Sequence, residues 1–348
     1  MSKSVLDYRY FLLAESMGHK HMTIRFAHKI AFFRLAALSV GLAMLPLYLL
    51  WPVSPAPPTD AEINLPTYGS APPLRQELPI YRFAVHPLHN PQRLFVNFQP
   101  IIDIINREAK DFSVRLIAAR DYQSFEKRIL MQEFDLILGN PLQTVWSLGY
   151  GYRVVGKMGD DDRFYGIIIA RDDFVPTNAA ALVGYNMVFP APTALAATLM
   201  PRLYLHEQGA DFSQINIIYS GSQESAIMNV YLGKADLAGT WPMPWELFLK
   251  ERPELGRRLH VVWRTPPLVN NGIAIRTSMP EAHVQHIMNI LLGLPASPEG
   301  RAILQRLSIS GFKASNNDDY VKPVRNFMEC YRKAFPNEEQ YLDERQQS

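Results

Sequence analysis

The stretch Phe189-Pro-Ala-Pro-Thr-Ala-Leu-Ala-Ala-Thr-Leu-Met-Pro201 is the one on which the fold prediction depends. A short apolar strand over 186–189 leads into two prolines, and a run of helix-forming residues follows them. A strand, a tight turn and a helix start together aim free backbone N–H groups at a ligand. We expect Thr193 to be the N-cap of this helix. Because an ordinary strand-to-helix connection has the same pattern, its meaning depends on the rest of the chain.

Composition narrows the class of protein. The chain has 348 residues, 48% of them hydrophobic, which is enough for two domains with a sizeable core. Its formal net charge is +2 and it has no basic stripe with interleaved aromatic residues, so no nucleic-acid partner is expected. Cys330 is the single cysteine, which excludes an intramolecular disulfide and a cysteine-based zinc cluster.

A basic segment precedes a charge-free apolar run near the N-terminus. Residues 1–34 carry six Lys and Arg against two Asp and Glu, and residues 35–53 carry no charge. This pattern predicts a secretory signal or a membrane anchor with its basic side in the cytoplasm, and the run is just long enough to span a bilayer. Pro57 follows the small-residue segment 54–56 and disfavours cleavage there, so we expect a retained anchor. Translation could start at Met1 or at Met22.

The region after the apolar run divides into a linker, a globular body and a tail. Residues 54–79 are rich in proline, which predicts an extended linker that holds the body away from the membrane. From residue 80 onward, predicted strands alternate with predicted helices, and the pattern restarts near 183. Such alternation predicts an α/β fold in which ligands bind at the carboxyl ends of parallel strands. We expect two lobes, each a mostly parallel sheet flanked by helices, preceded by an N-terminal hydrophobic helix. The predicted bounds are 80–175 with 265–335 for lobe 1, 176–264 for lobe 2, and 336–348 for a polar tail.

Several short motifs occur in the order and spacing of one protein family. They are Tyr81-Arg-Phe-Ala-Val-His-Pro87, Asp121-Tyr122, Phe134-Asp-Leu-Ile-Leu-Gly-Asn-Pro141, Ser220-Gly-Ser-Gln-Glu-Ser-Ala226, Gly233-Lys-Ala-Asp236, Gly239-Thr-Trp241, Ser297-Pro-Glu-Gly300, Ile309-Ser-Gly-Phe312 and Tyr320. Over about 78–335 the chain resembles the phosphate-, phosphite- and phosphonate-binding proteins of ABC transporters, within the type II periplasmic binding protein fold. The resemblance implies a periplasmic solute-binding protein, not an enzyme, that captures a small molecule between two lobes.

The oxyanion loop that the resemblance implies departs from the family pattern. The family has a Ser-Thr-Ser-Gly run where this sequence has Ala194-Leu-Ala-Ala197, so three hydroxyls are missing. Gln223 replaces a family histidine and Phe164 replaces a tyrosine. A hydrogen bond to a charged group contributes about 1.5–3 kcal/mol. We therefore expect a more apolar pocket and weaker binding of a dianion.

The candidate ligand site is drawn from the loops at the predicted carboxyl edge. Aromatic and apolar side chains would form its walls, while backbone amides and hydroxyls would bind polar groups, and Trp241 could be a ligand contact or a core residue. The candidate ligand-binding residues are His89, Asn90, Tyr122, Asn140, Phe164, Tyr165, Thr193, Ala194, Leu195, Ala196, Thr198, Ser220, Ser222, Gln223, Thr240 and Trp241.

Metal and catalytic sites are not predicted, and neither is a cofactor. His86 and His89 lack a third ligand nearby, and the acidic run 160–162 lacks the spacing of a calcium loop. Ser220 and Ser222 have no evident His and Asp partners for nucleophilic catalysis.

Two functional hypotheses remain. The first is a monomeric solute-binding protein that serves an ABC permease and is tethered to the inner membrane by 35–53. The alternative is a membrane-anchored ligand sensor or accessory protein that uses the same closure without transport. In that case a partner protein must carry the signal.

Overall fold

The computed structural model describes residues 78–338, which form two mixed α/β lobes. The predicted basic segment, hydrophobic helix and most of the linker lie outside the described residues, as does the tail beyond 338. Among the described residues, no helix is both long and apolar enough to cross a bilayer. Within the same range, no three His, Cys, Asp or Glu side chains converge as a metal site would require.

Strands and helices alternate through both lobes. The strands are β1 (Ile80–Val85), β2 (Ser113–Ala118), β3 (Leu136–Gly139), β4 (Tyr152–Met158), β5 (Ile167–Arg171), β6 (Asn186–Phe189), β7 (Asn216–Tyr219), β8 (Leu237–Thr240), β9 (Leu259–Arg264), β10 (Gly272–Arg276) and β11 (Phe312–Ala314). The helices are α1 (Pro91–Glu108), α2 (Tyr122–Leu130), α3 (Pro141–Leu148), α4 (Met200–Glu207), α5 (Gln223–Tyr231), α6 (Pro242–Glu251), α7 (Pro253–Gly256), α8 (Glu281–Gly293), α9 (Pro298–Leu307) and α10 (Asp318–Ala334).

Each sheet has a parallel core extended by antiparallel strands. The first sheet has the order β11-β4-β10-β3-β1-β2, and only the β1–β2 and β1–β3 pairs are parallel. The second has the order β7-β6-β8-β5-β9, and β6 pairs in parallel with β7 and β8. The two-lobe α/β class is therefore confirmed, but its sheets are mixed. The chain passes directly from one lobe to the other after β4 and returns before β10. Parallel pairing needs a helical crossover between strands, and since no α-helix lies at either crossing, β5 and β10 pair antiparallel with their neighbours.

The first crossing between lobes lies earlier than the sequence predicted. Strand β5 pairs with β8 and β9, so it belongs to the second lobe, and the predicted boundary at 175/176 is one strand too late. In the sequence, two short apolar runs flank the polar turn 159–163, and both were assigned to lobe 1. In the structure that turn joins the two sheets. The return crossing lies between Arg264 and Gly272, which includes the predicted position.

In helix α1, an internal proline leaves one backbone carbonyl without its helical donor, and a residue from another helix bonds to it. Asn90 caps the helix by accepting from the backbone N–H of Arg93 at 3.0 Å, and Pro91 occupies the first turn. Pro100 lies inside the helix and cannot donate to the carbonyl of Val96. Arg306 of α9 donates to that carbonyl at 3.3 Å instead.

Arg202 forms a clasp between the second lobe and the C-terminal segment. Its side chain is 5% exposed and pairs in bidentate fashion with Glu338, with one N···O distance of 2.7 Å. The guanidinium carbon lies 4.6 Å from the ring centroid of Phe335 and 5.1 Å from that of Phe212. Since α10 packs against α3 of the first lobe, this clasp joins the two lobes through the C-terminal segment. The predicted tail at 336–348 therefore begins too early.

Two glycines allow the turn after β6 to approach the second sheet. This turn, Leu195–Leu199, is π-helical and leads directly into α4. A Cβ at Gly239 would lie 2.1 Å from the carbonyl oxygen of Ala197, and one at Gly166 would lie 2.5 Å from that of Ala196. No side chain fits at either position, because the obstructing atoms belong to the backbone.

Replacing Gly239 by alanine should displace this turn. Overpacking of a close contact costs about 1–3 kcal/mol, so we expect Gly239→Ala to lower the free energy of unfolding by that order. Urea denaturation of the full-length chain measures it. Gly293→Ala is the matched control, because a Cβ there meets no atom within 4 Å. Equal stability of Gly239→Ala and the wild type would contradict the role assigned to this contact.

Candidate functional site

A small cavity lies between the lobes, beside the turn Leu195–Leu199. About 10 Å³ of it is open to the centre of a water molecule, which is room for roughly one water. Its walls come from both lobes and from the crossing segments between them. The lining residues are His86, Tyr122, Asn140, Phe164, Ala194, Leu195, Ala196, Ala197, Gln223, Trp241 and Asn271.

Half of the sequence-predicted site residues line this cavity. They are Tyr122, Asn140, Phe164, Ala194, Leu195, Ala196, Gln223 and Trp241. The positions expected to replace the oxyanion hydroxyls are therefore adjacent to the cavity. Trp241 is both a wall and a packed residue, because its ring centroid lies 5.4 Å from that of Phe164 and the side chain is buried.

Three predicted threonines lie nearby but use their hydroxyls elsewhere. Thr198 donates to the carbonyl of Ala191 at 2.7 Å, and Thr240 donates to Oε1 of Gln223 at 3.0 Å. Thr193 donates to the buried carboxylate of Glu126 in the first lobe. Its prediction as an N-cap is wrong, because the turn begins after residue 194 and has no side-chain cap.

Five other predicted residues are not among those that line the cavity. Ser222 caps α5 through a bond from the N–H of Ser225 at 3.1 Å, and Ser220 donates to backbone carbonyls. Tyr165 packs against the second-lobe core. Asn90 is used as the cap of α1, and His89 is buried away from the cavity. The loop after β1 makes a tight turn in which the backbone N–H of Leu88 donates to the carbonyl of His86 at 2.6 Å. His86 is the residue of this loop that lines the cavity.

Three lining residues were not among the predicted ones: His86, Ala197 and Asn271. His86 directly follows β1 at the expected carboxyl edge, so its position was a usable signal. Asn271 precedes β10, which pairs antiparallel with β3 so that Gly272 faces Gly139. The amino end of β10 is thereby brought to the carboxyl end of β3. Only the antiparallel pairing, which the sequence pattern did not reveal, places Asn271 at the site.

The lining residues are electrically neutral. None of the eleven is Lys, Arg, Asp or Glu. Burial lowers the pKa of His86 to about 3, with a further contribution from His89, so the imidazole is uncharged near neutral pH. Burial raises the pKa of the Tyr122 phenol, which therefore keeps its proton.

Three hydrogen bonds join the lobes around the cavity. Glu126 of α2 accepts from Thr193 of the second lobe and, at 3.0 Å, from Nε2 of Gln143. Asn140 Nδ2 donates to the carbonyl of Thr193 at 3.1 Å, while its Oδ1 caps α3. Gln223 Nε2 donates to the Tyr122 hydroxyl at 3.4 Å. The buried carboxylate thus binds neutral donors from both lobes.

An ion-pair cluster also crosses between the lobes. Arg93 of α1 lies 2.5 Å from a carboxylate oxygen of Glu251 and 3.7 Å from one of Glu224, both in the second lobe. Arg252 also pairs with Glu224, at 2.6 Å. These groups are partly exposed, so solvent and salt weaken the attraction.

Comparison with known proteins identifies the family. Residues 83–320 match the family described as the periplasmic substrate-binding proteins of phosphonate ABC transporters. The chain belongs to this family. Family membership confirms the predicted resemblance and assigns the protein as a periplasmic substrate-binding component of an ABC transporter. No match is found among curated proteins.

Solved structures support the same fold. One is a binding-protein component of an ABC phosphonate transporter from Pseudomonas aeruginosa, 16% identical over 78% of this chain and 96% of that one, with a TM-score of 0.67. A second is PhnD1 from Prochlorococcus marinus in complex with methylphosphonate, 19% identical over 73% and 97%, with a TM-score of 0.66. A third, from Xanthomonas citri and bound to chloride, is 16% identical over 74% and 99%, with a TM-score of 0.59. At these identities the likeness confirms the fold alone.

The buried His86 predicts acid sensitivity. An unfolded histidine takes up a proton below about pH 6.5, whereas His86 in the folded protein does so only at a pKa of about 3. Between these values the unfolded state binds more protons, so the free energy of unfolding falls as the pH falls. We expect His86→Leu to reduce this loss, measured by urea denaturation across that pH range. An unchanged pH dependence in the variant would contradict the assignment.

Proposed function

We propose that this family member captures a small, compact molecule between its lobes, and that its site favours a neutral or singly charged ligand over a dianion. The observation that carries the proposal is the neutral wall of the interlobe cavity, with no cationic side chain among its lining residues. A dianion removed from water into such a site loses hydration without gaining a compensating charge.

The backbone of the turn Leu195–Leu199 would supply the donors. The first N–H groups of a helical turn have no intrahelical acceptor and carry partial positive charge. The N–H groups of Leu195, Ala196 and Ala197 stand at this position, beside the cavity. They replace the family's hydroxyls only in part, because each contributes a modest anion preference.

Closure would be coupled to ligand binding through the cross-lobe contacts. The bond from Thr193 to Glu126 and the bond from Asn140 to the backbone of Thr193 join atoms of opposite lobes. Opening the cleft separates these atoms, so the contacts favour the closed form. A ligand that contacts both lobes adds to the same preference.

The partner and the location of the protein follow the same proposal. The closed form would be recognised by an ABC permease in the inner membrane, and residues 35–53 would tether the monomeric protein beside it. The alternative is a membrane-anchored sensor or accessory protein, in which another protein recognises the closed form.

Thermal unfolding of the full-length chain in detergent tests the proposed function. The panel would contain phosphate, phosphite, methylphosphonate, and neutral and zwitterionic metabolites. A ligand at one hundred times its dissociation constant adds about 2.7 kcal/mol of stability. Stabilisation by neutral or singly charged compounds supports the proposal, and tighter binding of dianionic phosphate contradicts the neutral site. If no compound stabilises the protein, capture of these solutes is wrong and the accessory-protein alternative is favoured.

Thr193→Val should weaken ligand binding without altering a cavity wall. The substitution keeps the side-chain shape but removes the cross-lobe bond to a carboxylate, a type of bond that contributes about 1.5–3 kcal/mol. We therefore expect roughly a tenfold or larger rise in the dissociation constant of any ligand that the panel identifies, measured by tryptophan fluorescence titration. Thr277→Val, at an exposed site in the first lobe, is the matched control. Equal affinities for the two variants would exclude a role for this bond in closure.

A further inference from the structure

Three polar side-chain atoms at the cleft cavity have no hydrogen-bond partner among residues 78–338. They are the two ring nitrogens of His86 and Oδ1 of Asn271, and neither side chain is more than 2% exposed. By contrast, Asn140 and Gln223 use both ends of their amides in bonds within the protein. Buried polar groups in native proteins are nearly always hydrogen-bonded. Both side chains line the small cavity between the lobes, so a molecule bound there can reach them.

The position of Asn271 is fixed before any ligand binds. Its carbonyl accepts from the N–H of Met158 at 2.9 Å, and its N–H donates to Oδ1 of Asn270 at 2.8 Å. Asn270 is held in turn by Tyr320, whose hydroxyl donates to its carbonyl at 2.6 Å. The acceptor is therefore mounted on a rigid crossing segment.

The orientation of the Asn271 amide follows from its other contact. Its Nδ2 lies 3.4 Å from the sulfur of Met158. A thioether accepts hydrogen bonds and cannot donate them, so only the amide nitrogen can bond to it. This contact leaves Oδ1, which accepts only, as the free end of the amide.

We infer that the bound molecule must present a hydrogen-bond donor, an O–H or N–H group, to Oδ1 of Asn271, as well as acceptors to the backbone N–H groups of the turn. This inference rests on the proposed function and specifies the ligand of the same site. His86 accommodates either role, because a neutral imidazole has one N–H group and one bare nitrogen. A compact oxyacid that retains one proton meets these requirements. An oxyanion without a proton places its lone pairs against those of the amide oxygen.

Methylphosphonate and methanesulfonate are the two probes that test this. In mildly acid buffer both carry one negative charge and have similar size and shape, but only the phosphonate retains an O–H group. We expect the full-length wild-type chain to bind methylphosphonate about tenfold or more tightly than methanesulfonate, because the sulfonate leaves a buried acceptor unpaired. Isothermal titration calorimetry measures both affinities.

Asn271→Leu separates the missing donor from other differences between the probes. We expect this variant to lose affinity for methylphosphonate but not for methanesulfonate, so that the two affinities become similar. Asn289→Leu is the matched control, because Asn289 is exposed on α8 and does not line the cleft cavity. It should keep the wild-type preference.

The possible results separate the donor requirement from solute capture. Equal binding of the two probes by the wild type overturns the donor requirement and leaves solute capture intact. A preference that survives in Asn271→Leu overturns the assignment to Asn271, because the discrimination must then come from His86 or from the weaker basicity of the sulfonate. If neither probe binds, a protonated oxyacid is not the ligand and the inference is overturned, while capture of a neutral compound is decided by the thermal-unfolding panel. The wild-type comparison needs no variant, so it stands even if Asn271→Leu fails to fold.

Discussion

The close approach of a backbone turn to the second sheet determines the geometry of the whole cleft. The carbonyl oxygens of Ala196 and Ala197 occupy the space that side chains at Gly166 and Gly239 would fill. This close packing places the first N–H groups of the turn beside the cavity. It also positions Thr193 to bond to Glu126 across the cleft. One constraint of shape therefore fixes both the donors available to a ligand and the contact that joins the lobes.

The site differs from a typical anion-binding site because it has no cationic side chain among its lining residues. Its walls are neutral, and the one buried carboxylate near them, that of Glu126, is bound by Gln143 and Thr193. The apolar side chains at 194–197 belong to the same buried cluster as Phe164 and Trp241, so packing rather than side-chain hydrogen bonding holds this part of the turn. Under the proposed function, such a site would recognise its ligand by shape and by the direction of hydrogen bonds more than by attraction between charges.

Local sequence patterns predicted the repeating βα units well, because caps, prolines and apolar periodicity act within a few residues. Asn90 caps α1 and Pro91 occupies its first turn, and both are signals that lie within a few residues of the helix start. Failures occurred where a distant partner decides the structure. β5 pairs with strands of the other lobe, Asn271 reaches the site through antiparallel pairing, and the Thr193 hydroxyl binds a carboxylate sixty-seven residues away in the chain.

The clasp around Arg202 restricts how the lobes can move. Its guanidinium is enclosed by Glu338 and by aromatic rings from α10 and the segment after it, none of which lines the cleft cavity. Separating these groups would leave a buried charge without a partner, which is far more costly than breaking the partly exposed ion pairs of Arg93. A low-energy opening must therefore pivot near Arg202. The rotation axis then runs beside the C-terminal helix, and a small turn about it becomes a large displacement of the distal edges of the lobes.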